Sequence, residues 1–300
     1  MSLNGGINTR KGSDSPLFIY FCIFVAVFLL SFLFVSFVAG IVGTLDIDER
    51  AKVLVTSAVQ NLFVFIGTPL ITARVESQNT IKVLSLNVSP GWSNVLLVAV
   101  CYFIGMCFLN QLIFWNDSIV FPESLHELEE KLRGWENSSR HFTDAILSTT
   151  TIPGLVSGIA IVGCLTGFAE ELFFRAGIQR QLCKAISGHA AVWISAFIFS
   201  AMHFQFFGFF PRLLLGAIFG YFYLWSGSIW TSVIAHALNN SMVVITAWLM
   251  ARGCVSADIE NFGVSESGFP WFAMSSGILL ILVLYLWQKK LSKNNGKSHF

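Results

Sequence analysis

From Pro16 to Leu45 the chain passes without a single charged side chain. A helix needs about 20 mostly apolar residues to cross the hydrocarbon core of a bilayer, so this run is long enough for a tilted span. A water-soluble domain has no interior in which every face of such a stretch could be hidden. The run follows Arg10 and Lys11, as the apolar part of a signal peptide would. It exceeds the roughly 7–15 residues of that part and no clean small-residue cleavage site follows, so it reads as a retained anchor helix.

Comparable runs recur at 52–73, 94–115, 150–183, 188–204, 210–227, 229–250 and 269–288. About eight spans result on the same length rule, with 188–204 the shortest. Composition agrees: 55% of the 300 residues are hydrophobic and 12% charged, against about 25% charged in an ordinary soluble domain. The expected fold is therefore all-α and polytopic, a single transmembrane domain over 16–290 with short tails at 1–15 and 291–300. A net charge of +1 gives no bulk electrostatic attraction for nucleic acid. The lipid bilayer is the one partner composition demands.

Segment 121–148 differs. Glu123, Glu127, Glu129, Glu130, Lys131, Arg133 and Glu136 make it too polar to cross, and an amphipathic surface helix is expected there. Lys289, Lys290, Lys293 and Lys297 follow the last span and Arg10 and Lys11 precede the first. With an even number of spans, this bias puts both termini on the cytoplasmic side. Arg50 and Lys52 count mildly against that orientation.

Ionisable groups inside a span cost roughly 2.5–3.5 kcal/mol each to insert. Here they gather: Glu170, Glu171 and Arg175 in one span, His203 in the next, His236 and Asn240 two spans later. Glu171 and Arg175 are four apart and share a helix face, where they can pair. Glu170 is rotated by about 100° and is free to point elsewhere. His236 and Asn240 are also four apart. Carboxylate, imidazole and amide groups from three helices could thus meet in one cavity and serve water-based attack on an acyl group. No GxSxG elbow supplies a nucleophile. The six cysteines form no CxxC pair and read as small apolar residues.

EELFFR at 170–175, FSAMH at 199–203 and HALNN at 236–240 resemble, in order, the EExxxR, FxxxH and HxxxN motifs of the CPBP family. That family includes the CAAX prenyl proteases and enzymes linked to bacteriocin processing and immunity. The resemblance covers about 150–245. It implies an intramembrane glutamic endopeptidase with an eight-helix core. Glu170 would activate the hydrolytic water with help from His203, His236 and Asn240 would hold the oxyanion, and Glu171 and Arg175 would support them. The substrate would be a peptide or membrane protein, prenylated or not. One departure is Ala176, where the family often has glycine directly after the arginine.

Other readings compete. Glu171 and Arg175 form a plausible structural ion pair, and Asn239, Asn240 or a lone intramembrane histidine can be interhelical glue. Phe199 reads as packing, and His189, Arg212 and Arg252 as interfacial anchors. Two histidines and a glutamate can ligate zinc, but HExxH is absent and a metal-free site without cofactor is favoured. From other functional classes, a non-catalytic immunity or scaffold protein would retain the motifs for binding. A transporter would use the buried charges as a proton relay, but no inverted repeat is visible.

Overall fold

A computed structural model describes residues 15–295, which contain helices and no strand. The expected tail residues 1–14 and 296–300, with Arg10, Lys11 and Lys297, lie outside the described residues. Nine helices matter here. They are α1 (Ser15–Gly43), α2 (Glu49–Glu76), α3 (Trp92–Asp117), α4 (His126–Leu147), α5 (Ile152–Cys183), α6 (Gly188–Ala201), α7 (Phe209–Ser226), α8 (Ile229–Ala251) and α9 (Trp271–Asn295).

Seven of these segments are long and apolar enough to cross a membrane, and the protein is an integral membrane protein on that architecture. The eighth expected span, α6, is the exception. Its helix ends at Ala201, so at 1.5 Å per residue it reaches only about 21 Å. His203 therefore sits in a turn beyond the end of α6 rather than inside a span. The surface helix expected in 121–148 is α4, with a charged first turn and an exposed outer face.

The outer helices show their apolar side chains to the surroundings. On α1, Phe18, Leu30, Leu33 and Phe37 are exposed, and on α9 Ile278, Ile281 and Leu282. That is the arrangement lipid requires, since no hydrophobic gain drives these faces inward in a bilayer. The polar groups gather instead around α5, which runs through the centre of the bundle.

Glycine lets α8 press against α5. A Cβ on Gly158 would meet Val244 at 2.9 Å, one on Gly163 would collide with Ser241 Oγ, and one on Gly167 would meet the Ala237 backbone at 2.9 Å. The three glycines are spaced by five and then four residues. A straight α-helix would turn Gly158 off this face. The π-helical stretch Ile159–Thr166 between them widens the turn and keeps all three in line. A second π stretch, Leu172–Gln179, follows the two glutamates, so Glu170 and Glu171 lie on a short α-helical segment, Gly167–Glu171, between two wide turns.

Side chains secure this irregular helix. Asn61 of α2 donates to Thr166 Oγ1 at 2.8 Å, and that hydroxyl donates to the Ile161 carbonyl at 2.9 Å. At its far end Arg180 places two N–H groups on Glu76, at 3.0 and 2.8 Å. Ala176, the departure from the family pattern, is fully buried, and the close approach falls to Gly177, whose added Cβ would meet the Phe24 ring at 2.9 Å.

Candidate active site

The centre of the site is an ion pair sealed from solvent. Arg175 Nε donates to Glu171 Oε2 at 2.9 Å, and both side chains have no exposed surface. The same guanidinium donates through Nη1 to Ser195 Oγ at 3.3 Å, and Ser195 donates to the Phe174 carbonyl at 3.0 Å. These bonds tie α5 to α6. The spacing argument anticipated the pair, but not its second task.

Glu171 Oε1 lies 2.8 Å from His236 Nδ1. An ionised carboxylate only accepts, so Nδ1 carries the hydrogen and donates it. This fixes the ring and turns Nε2 toward Glu170, whose Oε2 is 3.7 Å away. Aromatic walls hold the imidazole: Phe219 stacks on it at 5.0 Å and Phe199 meets it edge-on at 5.8 Å.

His203 is oriented by its own turn. Its Nδ1 lies 2.8 Å from the Phe199 carbonyl, which can only accept, so Nε2 is the nitrogen left with a free lone pair. The Phe199 ring is 4.9 Å from the His203 ring and 5.6 Å from the Arg175 guanidinium. Phe199 is thus the shared wall of both histidines and the arginine, a role visible in sequence only as packing.

Asn240 is also placed. Its Nδ2 donates to the Val162 carbonyl at 3.2 Å, within the π stretch of α5, and its Oδ1 accepts from Asn239 at 3.2 Å. One amide hydrogen is engaged in holding α8 to α5, and the second is not used by these bonds.

Exposure separates the two glutamates. Glu171 is fully buried with both oxygens committed, whereas the Glu170 side chain retains 12% of its surface. His203 and Asn240 are likewise partly exposed. Glu170, His203 and Asn240 thus keep some exposed surface, while Glu171, Arg175 and His236 are buried.

No group of three or more His, Cys, Asp or Glu side chains is placed to hold a metal ion among the described residues. An apolar groove of about 480 Å³ opens beside the site, between α1, α5 and α6. Phe24, Phe28, Phe173, Ile178 and Met202 line it, and Met202 is the residue before His203.

Residues 152–242 match the family model of type II CAAX prenyl endopeptidase Rce1-like proteins. That segment is CAAX-protease-like, of the CPBP family. It contains all six residues just described, and the match supports a protease of CAAX type as the coarse assignment. Neither the curated proteins nor the solved structures provide a match to this CAAX-protease-like chain.

Arg212, read from sequence as an interfacial anchor, instead reaches back to the turn carrying His203, donating to the Gln205 carbonyl at 3.2 Å and to its Oε1 at 2.6 Å. Nothing in the residue spacing signals that contact, because it depends on where the loop after α6 folds.

Proposed function

We propose that the protein hydrolyses a peptide bond by direct attack of a water molecule activated by Glu170. The observation that carries this reading is the division of labour between neighbouring glutamates. Glu171 spends both oxygens on Arg175 and His236, while Glu170 faces the oriented imidazole and remains partly exposed.

A water held between Glu170 and His203 Nε2 loses one proton to the Glu170 carboxylate as its oxygen bonds to the carbonyl carbon. His203 accepts a hydrogen bond from the second water hydrogen. His236 Nε2 stands 3.7 Å from Glu170 Oε2, longer than a hydrogen bond, so passing that proton to Nε2 requires the two groups to close up as the charge develops. The charged imidazole and the second Asn240 N–H then face the developing oxyanion. Return of the Glu170 proton to the amide nitrogen breaks the C–N bond and releases a carboxylic acid and an amine, and transfer of the remaining water proton between them leaves a carboxylate and an ammonium. Atoms balance as peptide plus water, and no acyl-enzyme forms. Arg175 and the Glu171 carboxylate keep the buried layer compensated as charge moves, which matters where water cannot screen it.

The groove ending at Met202 suits the hydrocarbon part of a lipid-modified substrate lying beside the scissile bond, since it is almost wholly apolar and lies within the membrane-spanning bundle. Lys289 and Lys290, near the C-terminal end of α9, favour a cytoplasmic C-terminus.

The test is cleavage of paired peptides, prenylated and unprenylated, by the purified protein in detergent, with and without chelator and with hydroxylamine present. Chelator-resistant cleavage with no hydroxamate product supports this reading, and preference for the prenylated partner supports the use of the groove. Hydroxamate formation would mean an acyl-enzyme and overturn direct water attack.

A further inference from the structure

The turn that carries His203 is gripped from outside the three motifs. Phe204 has a backbone φ of 53°, a left-handed conformation that a bulky side chain adopts at a cost, and its ring is 67% exposed. Such a conformation persists only where the surroundings over-determine it. The surroundings here are α4, the surface helix the motifs do not include.

Glu136 of α4 is 6% exposed although it lies on an otherwise solvated helix. Its Oε2 accepts the Phe207 backbone N–H at 3.2 Å and its Oε1 accepts from Gln205 Nε2 at 3.4 Å. Gln205 in turn takes both Arg212 bonds, so acid, amide and guanidinium form one chain around the residues that follow His203. The neighbours of Glu136 on α4 complete the grip: Trp135 meets Phe204 edge-on at 6.3 Å, and the Arg133 guanidinium lies 3.9 Å over Phe207. From α3, Asn116 donates to the Phe206 carbonyl at 3.1 Å and accepts the Phe210 N–H at 2.9 Å.

We infer that Glu136 is a positioning residue for His203, and that α4 works as a clamp setting the reach of the His203 ring into the site. The role rests on the hydrolytic reading above. A carboxylate this buried on a surface helix needs a reason: Arg140, one turn along α4 with Nε 3.7 Å from Oε1, offsets part of its desolvation, and the hydrogen bonds to Phe207 and Gln205 supply the rest. Both of its hydrogen bonds go to the segment that follows the candidate water-holding imidazole. Displacement by about 1 Å of a group that must meet a water and a carbonyl together can lower a rate on the order of 100-fold.

The experiment compares wild type, Glu136→Ala and Glu136→Gln in the full chain, by steady-state kinetics and by acylation of histidines with diethyl pyrocarbonate, with exposed His141 as internal reference. Glu136→Gln keeps an oxygen to accept the Phe207 N–H, so it should recover most of what Glu136→Ala loses. We expect Glu136→Ala to lower kcat by about 10- to 100-fold with KM little changed, and to speed acylation of His203 several-fold while His141 is unaffected. A purely structural role would lower the thermal midpoint and the active fraction without moving the His203 rate in protein that stays folded. Unchanged His203 acylation in Glu136→Ala overturns the clamp, and so does faster acylation with unchanged kcat. If wild type cleaves nothing, the hydrolytic reading fails, while the acylation rates still decide whether α4 holds the turn.

Discussion

His236 Nδ1 donates to Glu171 at 2.8 Å, across from α8 to α5, while Arg175 holds the other oxygen of the same carboxylate. One buried acid therefore sets the charge balance of the bundle and the tautomer of a site histidine. Its sequence neighbour Glu170 is left free of both duties.

Glu171→Ala would strand the Arg175 charge and the His236 N–H in a dry interior. Breaking a buried pair by removing one partner costs about 3–5 kcal/mol. A large fall in the thermal midpoint in detergent is expected, with Glu171→Gln losing less stability because its amide oxygen still accepts one bond. A Glu171→Ala protein as stable as wild type would show the pair to be dispensable.

Gly167→Ala should be costly where Gly40→Ala is not. The added methyl meets backbone atoms of Ala237 at 2.9 and 3.0 Å, next to His236, whereas nothing lies within 4 Å at Gly40. Overpacking of this kind typically costs about 1–3 kcal/mol. Unfolding midpoints of the two variants measured side by side check the difference.

Phe199→Ala removes the wall common to Arg175, His203 and His236. Deleting a buried phenylalanine side chain costs about 3–5 kcal/mol, and Phe199→Leu should retain part of that. The expected order of kcat is wild type, then Leu, then Ala, and equal rates for all three would reduce Phe199 to filler.

Much of this site was legible from spacing. The i, i+4 rule placed Arg175 against Glu171, and the position of Glu170 off that face anticipated its freedom. What the spacing did not carry were features that depend on irregular backbone. The π stretches flanking Gly167–Glu171 alter the phase on which any helical wheel relies, so the five-then-four glycine stripe facing α8 is invisible to it. The end of α6 at Ala201 moved His203 into a turn. Once it lies there, its support comes from Glu136, Gln205 and Arg212, distant in sequence from one another or assigned by default to the surface. Asn240 was picked out by its offset from His236, but its Val162 carbonyl partner exists because α8 can approach α5 so closely.

Low pH should loosen the start of α4. Glu129 accepts the Phe121 backbone N–H and the Arg133 guanidinium, and these bonds hold its carboxyl below the usual carboxylate range. A folded-state value below the unfolded one gives stabilisation that is complete above the ordinary glutamate value, about 4.3. It is lost as pH falls below that value through the lower folded one. Amide exchange at Phe121 should accelerate over that window in wild type, and Glu129→Gln should flatten the dependence. Acceleration unchanged in Glu129→Gln would assign the effect to another group.

The central claim is that Glu170 activates the water. The most direct measurement is kcat for Glu170→Gln on any peptide the wild type cleaves, in a preparation whose thermal midpoint matches wild type. General-base assistance contributes about 10²- to 10⁴-fold, so a loss of at least that size with KM nearly unchanged is the predicted result. A Glu170→Gln protein cleaving within about twofold of wild type would contradict the account, because no step assigned to that carboxylate could then limit the rate.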